Sequence, residues 1–167
     1  MGLHEISIRE MKNHIDPWNM ERDCAIAMAS DGAETDGLTI GWAGFGVLWN
    51  KPAATVYIHE SRYSRHIFDQ AEAFSICFLK PEDRNTIDYF GRVSGRDEDK
   101  IQHCGKKVIT EDLAPYFADS RVVLLCRIMG KSMFDAESCD AGVREWYRRT
   151  GVHTQYYGEI VRALVSD

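Results

Sequence analysis

Apolar and polar positions alternate along six stretches, at about Cys24 to Ser30, Leu38 to Leu48, Ala53 to His59, Ala73 to Leu79, Arg121 to Met129 and Thr154 to Val165. A period of two predicts a strand at each. The clearest is the fourth, where Phe74, Ile76 and Phe78 share one face. Between the strands the spacing becomes that of short helices. One is predicted from about Tyr63 to Ala71, with Ile67, Phe68 and Ala71 on one side and Ser61 or Ser64 as its cap. Another opens at Pro81, carries Glu82 and Asp83 in its first turn, aligns Ile87 with Phe90 and stops at Gly91. A third covers Asp97 to His103. A fourth starts from Asp140, buries Val143, Trp146 and Tyr147, and ends before Gly151. Such helices are too short to bridge parallel strands throughout, so the expected fold is mainly β, an antiparallel sheet or barrel decorated by short helices.

At 167 residues and 44% hydrophobic the chain supports one core. No linker, repeat or charge block divides it, which predicts a single domain over residues 1–167. The longest apolar runs, such as Ala25 to Ala29 and Val122 to Cys126, fall far short of the roughly 18 residues of a membrane span. The first residues lack a charged segment followed by an apolar one, and Ile6 breaks a myristoylation pattern, so no secretory signal or lipid anchor is expected. Five cysteines, an odd number without a CxxC pair, mostly sit in apolar runs and behave as small hydrophobes. The expected setting is the reducing cytoplasm. A net charge of −6 argues against binding nucleic acid by phosphate neutralisation.

Several common chemistries fail on their spacing. His59-Glu60-Ser61-Arg62-Tyr63 begins like a zinc-protease helix, but Tyr63 stands where the second imidazole is needed. Gly41-Trp42-Ala43-Gly44-Phe45-Gly46 has the wrong glycine order for a dinucleotide fold and lies in a strand pattern instead of opening a helix. Neither a P-loop nor a GxSxG elbow occurs.

Three polar or small-residue segments remain. In Asp36 to Gly46, one face of the predicted strand carries Leu38, Ile40, Trp42 and Leu48, while Thr39, Gly41 and Ala43 are small. Such a face either admits a flat ligand close to the backbone or packs tightly in a curved barrel strand. Ser61 to His66 puts hydroxyls, guanidinium groups and backbone donors where a strand meets a helix, as either an anion site or an ordinary cap with solvated arginines. In Gly91 to Lys100, Gly95 permits unusual backbone angles beside Ser94, Arg96 and Lys100, which face either an anion or water. Together the last two hold much of the basic minority: Arg62, Arg65, Arg92, Arg96 and Lys100.

Leu38-Thr39-Ile40-Gly41-Trp42 continuing through Pro52, then Ser61-Arg62-Tyr63-Ser64, then Ser94-Gly95-Arg96-Asp97 with Asp99-Lys100, and last Tyr157-Gly158-Glu159-Ile160, resemble in order the flavin reductase-like proteins with an FMN-binding split barrel, especially their flavoredoxin-like branch. The resemblance implies a six-stranded antiparallel split β-barrel, a homodimer, and FMN near the subunit interface. It implies that Thr39, Ile40, Gly41, Trp42 and Ala43 line the flavin ring, that Ser61, Arg62, Tyr63 and Ser64 hold ribityl and phosphate oxygens, and that Ser94, Gly95, Arg96 and Lys100 close over the cofactor. His153 resembles the histidine before the last strand, facing the ring or an incoming nicotinamide as the candidate catalytic residue. The implied activity is hydride transfer from NAD(P)H to flavin N5, with a small-molecule or protein acceptor and no nucleic acid or membrane partner. The alternatives are an FMN electron carrier reduced by a partner protein and a non-catalytic flavin binder. Asp36-Gly37 departs from the Asn-Thr common in relatives; an acidic side chain beside a phosphate carrying about −1.5 to −2 charges is repulsive, so either Asp36 points away or the affinity for the cofactor is reduced.

Overall fold

The computed structural model describes residues 2–167, which run in order as β1 (Leu3–Ile6), α1 (Met20–Asp23), β2 (Ala25–Ser30), β3 (Thr35–Ile40), β4 (Ala43–Leu48), β5 (Lys51–His59), α2 (Arg65–Gln70), β6 (Ala73–Phe78), α3 (Arg84–Arg92), α4 (Lys100–Cys104), β7 (Val108–Ile109), β8 (Tyr116–Phe117), β9 (Val122–Met133), α5 (Ala141–Thr150) and β10 (His153–Ser166). Short 3-10 turns lie at Ile8–Asn13, Pro17–Asn19, Pro81–Asp83 and Ala136–Ser138. Eight strands form one antiparallel sheet in the order β3-β2-β6-β9-β10-β5-β4, with β1 added along the far end of β10, and β7 pairs only with β8.

The two edges of that sheet, β3 and β4, are consecutive in the chain and are joined by Gly41 and Trp42 alone. Three peptide units reach about 11 Å at most, so the sheet has to curl until its edges meet. It closes as a barrel that is not hydrogen-bonded at this seam. The antiparallel barrel expected from the sequence is therefore present, with eight strands where six were expected. One extra strand is β1; the other arises because the run from Leu38 to Leu48 is two strands. Leu38 and Ile40 point into the core at even positions, whereas Ala43 and Phe45 pack against it at odd ones. A single strand cannot change parity in this way.

One hydrophobic cluster fills the barrel, with Ala27 from β2, Leu38 from β3, Val56 from β5, Phe74 from β6, Leu124 from β9 and Tyr156 from β10. Phe68 of α2, and Met11 and Ile15 of the N-terminal segment, cover its open ends. A second cluster lies outside the wall made by β2, β6 and β9, where Ile26, Met28, Cys77, Val123 and Leu125 meet Ile87 and Phe90 of α3. β2, β6 and the first five residues of β9 are buried on both faces, so apolar runs such as Ala25 to Ala29 and Val122 to Cys126 stand there in place of the expected strict alternation. The helices begin later than their cap residues suggested, α2 at Arg65 and α4 at Lys100, and α3 continues through Arg92. α5 departs further. Only Tyr147 is buried, while Val143 and Trp146 are 40% and 36% exposed. All five cysteines are free thiols. Among the described residues no helix is long and apolar enough to cross a membrane.

β10 bulges beside β9 between Tyr157 and Gly158. A Cβ at Gly158 would lie 2.6 Å from Phe74 Cζ and 2.7 Å from Cys126 Cβ, so the bulge admits only hydrogen there. Gly158→Ala should lower the unfolding free energy by about 1–3 kcal/mol, as for overpacked cores. Urea unfolding measures it, and an unchanged midpoint would show that the barrel wall yields freely at this point.

Candidate functional site

β5 passes into α2 through residues 60–64, and α3 ends at Arg92 before the chain turns through residues 93–99 into α4. These two connections face each other across a cavity of ≈ 170 Å³ lined by residues 61–64, 92–96 and Lys100. Two of the three segments singled out in the sequence therefore meet. Beneath the cavity is a buried polar node. Lys100 Nζ lies 3.2 Å from Asp36 Oδ1 and donates to the Gly37 carbonyl at 2.5 Å, while Ser64 Oγ donates to Asp36 Oδ2 at 2.6 Å. Asp36, Ser64 and Lys100 are all buried. Burial pulls the Lys100 ammonium below its ordinary pKa, and the Asp36 carboxylate opposes that pull. Asp36 is thus not an unpaired negative charge facing the cavity; its partner is Lys100.

Several side chains expected to serve a ligand are committed elsewhere. The Arg62 guanidinium donates to the carbonyls of Phe90 and Gly91, both at 2.8 Å, and so closes the C-terminal end of α3, where carbonyls lack helical partners. Arg65 faces Asp69 at 3.6 Å. Ser64 gives its proton to Asp36, and Lys100 is held within the node. Ser61 Oγ is 2.7 Å from His59 Nδ1. Arg96, by contrast, stays on the cavity, over the Tyr63 ring at 5.6 Å and 3.4 Å from the Ser61 carbonyl. Arg92 also lines the cavity and has no hydrogen bond or ion pair with another described residue. The resemblance did not assign Arg92; its place in the last turn of α3, beside the helix end that Arg62 holds, is what turns it into the cavity. The amide N–H groups of Tyr63, Ser64, Ser94 and Gly95 likewise donate to no other described residue. Gly95 packs against the Tyr63 ring, and a Cβ there would also lie 2.9 Å from Asp36 Oδ2, so close approach requires glycine.

The third segment lies beside this cavity without lining it. Thr39 Oγ1 donates to the Ile87 carbonyl of α3, and Ile40 is buried in the barrel. Gly41 and Trp42 form the seam and Ala43 opens β4. Trp42 is 49% exposed, with its ring 4.7 Å from His153 and 5.7 Å from Trp146. Trp146 stacks on His153 with an interplanar angle of 13°, and His59 meets the same imidazole edge-on at 4.9 Å. Nδ1 of His153 and Nε2 of His59 are buried without a partner. Burial first, then the neighbouring His59, push the His153 pKa down to about 4. This imidazole is neutral at pH 7. His59 is also two residues from Ser61, whose N–H donates to His59 Nδ1 at 3.1 Å, so one strand end connects the aromatic cluster to the cationic cavity. The arrangement offers anion donors at one end and a cluster of mostly tilted aromatic rings at the other.

A family model described as "Flavin reductase like domain" matches residues 19–167. Flavoredoxin from Methanosarcina acetivorans superposes with a TM-score of 0.70 at 22% identity, covering 87% of this chain and 69% of its own. An FMN-binding domain of a flavin reductases-like enzyme from Shewanella baltica OS155 gives 0.71 at 14% identity, covering 98% and 76%. The NADH:FAD oxidoreductase SgcE6 of Streptomyces globisporus C-1027 gives 0.65 at 14%, covering 98% and 88%. At these identities the likeness establishes the split-barrel fold. No curated protein matches the chain significantly.

Two outcomes follow from the buried groups. Lys100→Met leaves the Asp36 carboxylate without its counter-charge and should cost about 3–5 kcal/mol in urea unfolding. Asp36→Asn added to that variant should restore part of the loss, and if it restores none the pair is not the cause. For His153, an unfolded imidazole takes up its proton near 6.5, whereas the folded one does so near 4. The unfolded state binds more protons between those values, so stability falls as pH drops from about 6.5 toward 4. His153→Gln should reduce the fall in the urea midpoint between about pH 7 and about pH 5; an identical fall in both proteins would assign it to other groups.

Proposed function

The chain belongs to the flavin reductase-like family, and we propose that it is a flavin-binding oxidoreductase that holds FMN with the phosphate between residues 61–64 and 92–96. The observation that carries this reading is the convergence of Arg92, Arg96 and four unclaimed amide N–H groups on one small cavity of an acidic chain. A phosphate monoester brings about −1.5 to −2 charges, which two guanidinium groups match. The donor set fits the group.

A bound FMN would supply the chemistry of hydride acceptance, with NAD(P)H as the proposed donor. The residues of this chain bind and orient. Arg92 and Arg96 neutralise the phosphate, with Ser94 and the Gly95 amide beside them. Gly41 leaves the seam open to a flat ring, since a Cβ there would meet only Cys24 Sγ at 3.9 Å and the Met20 carbonyl at 4.0 Å. Trp42, Trp146 and Tyr147 exclude water around His153. Being neutral, His153 offers shape and a hydrogen-bonding nitrogen instead of a positive charge, so its proposed role is to position the reacting rings. Arg62 acts through α3 and is a positioning residue.

The same reading makes the protein a homodimer. Trp42 at the seam beside the site and Trp49 in the β4–β5 turn are exposed, and exposed aromatic surface favours a partner.

The purified protein should be yellow or take up added FMN, and NADH or NADPH should bleach its visible bands under anaerobic conditions. Arg92→Ala should weaken FMN binding by about 1.5–3 kcal/mol, the range for a hydrogen bond to a charged group. A colourless protein that does not take up FMN would remove the proposal, and a flavoprotein not bleached by either nicotinamide would be reduced by another protein.

A further inference from the structure

The N-terminal 3-10 helix Ile8–Asn13 lies across one end of the barrel. With three residues per turn, side chains three apart lie one above the other. Ile8 and Met11 share the edge that packs on the barrel, and Arg9 and Lys12 share another. Two cations stacked in this way repel each other unless an anion lies between them. The nearby carboxylates are otherwise engaged. Glu10 is turned back on Ser7, at 2.9 Å from its N–H and 2.6 Å from its Oγ. Asp16 accepts from Trp18 N and Asn19 Nδ2, and Glu5 pairs with Arg162. Neither Arg9 nor Lys12 has a hydrogen bond or ion pair with another described residue.

Both cations border a cavity of ≈ 290 Å³ between this helix and the β4–β5 wall, lined mostly by apolar side chains including Ile8, Met11, Phe45 and Ile160. It has no lining residue in common with the cavity at residues 61–64 and 92–96. Gly46 also lines it, and a Cβ at that position would meet nothing within 4 Å. The combination is an apolar slot of small-ligand size with two uncompensated cations at its rim.

We propose that this cavity binds a small amphipathic carboxylate, with its hydrocarbon part against Phe45, Met11 and Ile160 and its charge on Arg9 and Lys12. The site is separate from the flavin reading and stands without it. Octanoate is the probe, titrated into the full chain at low salt and followed by amide NMR, with octanol as the uncharged control. Octanoate should produce saturable shifts at Phe45 and Gly46 and bind more tightly than octanol. Arg9→Gln with Lys12→Gln should weaken octanoate at least about tenfold, consistent with lost charge-assisted hydrogen bonds, and leave octanol unchanged. The absence of saturable octanoate shifts at Phe45 and Gly46, equal affinity for octanol and octanoate, or undiminished octanoate binding to the Arg9→Gln, Lys12→Gln variant would overturn the proposal.

Discussion

Lys100 and Asp36 share a space from which water is excluded, and the geometry of the candidate site depends on how that space is satisfied. Removing two charges from water costs several kcal/mol per ion unless the remaining hydrogen bonds are made. Here they are made by the Gly37 carbonyl, which accepts from the ammonium, and by the Ser64 hydroxyl, which donates to the carboxylate. The four groups come from three parts of the chain: β3, the cap of α2 and the first residue of α4. One ion pair therefore fixes the relative positions of both walls of the cavity, and Gly95 is pressed between Tyr63 and Asp36 as a consequence. A hydrophobic pair of the same volume could match its stability. It could not orient Ser64 or hold the β3 carbonyl.

β3 carries a second constraint at its other end. Because only Gly41 and Trp42 join the two edges of the sheet, barrel closure determines where Trp42 can be, and that place is against His153 at the start of β10. The cationic cavity and the aromatic cluster are thus positioned by opposite ends of one six-residue strand. β5 links them again on the far side, through His59 and Ser61. Neither half of the site can shift without straining the barrel.

How much of this was legible in the sequence follows from which forces act locally. β2, β6 and β9 were legible as strands from an expected period of two, although burial of both faces over much of their length replaces alternation with apolar runs, and the polar segments at residues 61–66 and 91–100 stood out because hydroxyls, glycine and cations cluster in them. The break in Leu38 to Leu48 was present as a change of parity, but Trp42 concealed it by extending the even-numbered apolar face by one position. β1 is a four-residue strand with two exposed residues, held by pairing to β10, and no local alternation marks it. On α5 the apolar spacing was real, yet Val143 and Trp146 border water because the helix covers a strand end and not the core. The fates of Arg62, Ser64 and Lys100 were illegible for a different reason. Each is decided by a partner 28 or more residues away, which spacing cannot show.

That last limit changes how a cluster of cations should be read. Five basic side chains fall in the two polar segments, and counted together they suggest a strongly positive pocket. Arg62 answers helix carbonyls, Arg65 answers Asp69, and Lys100 answers Asp36. Arg92 and Arg96 remain. A pocket with all five charges free would repel itself and would draw anions of many kinds, whereas two guanidinium groups beside unclaimed amides approach the charge of one phosphate monoester. Asp36, which in isolation looks hostile to an anion, withdraws one cation from the field by pairing with Lys100 and leaves Arg92 and Arg96 on the cavity lining.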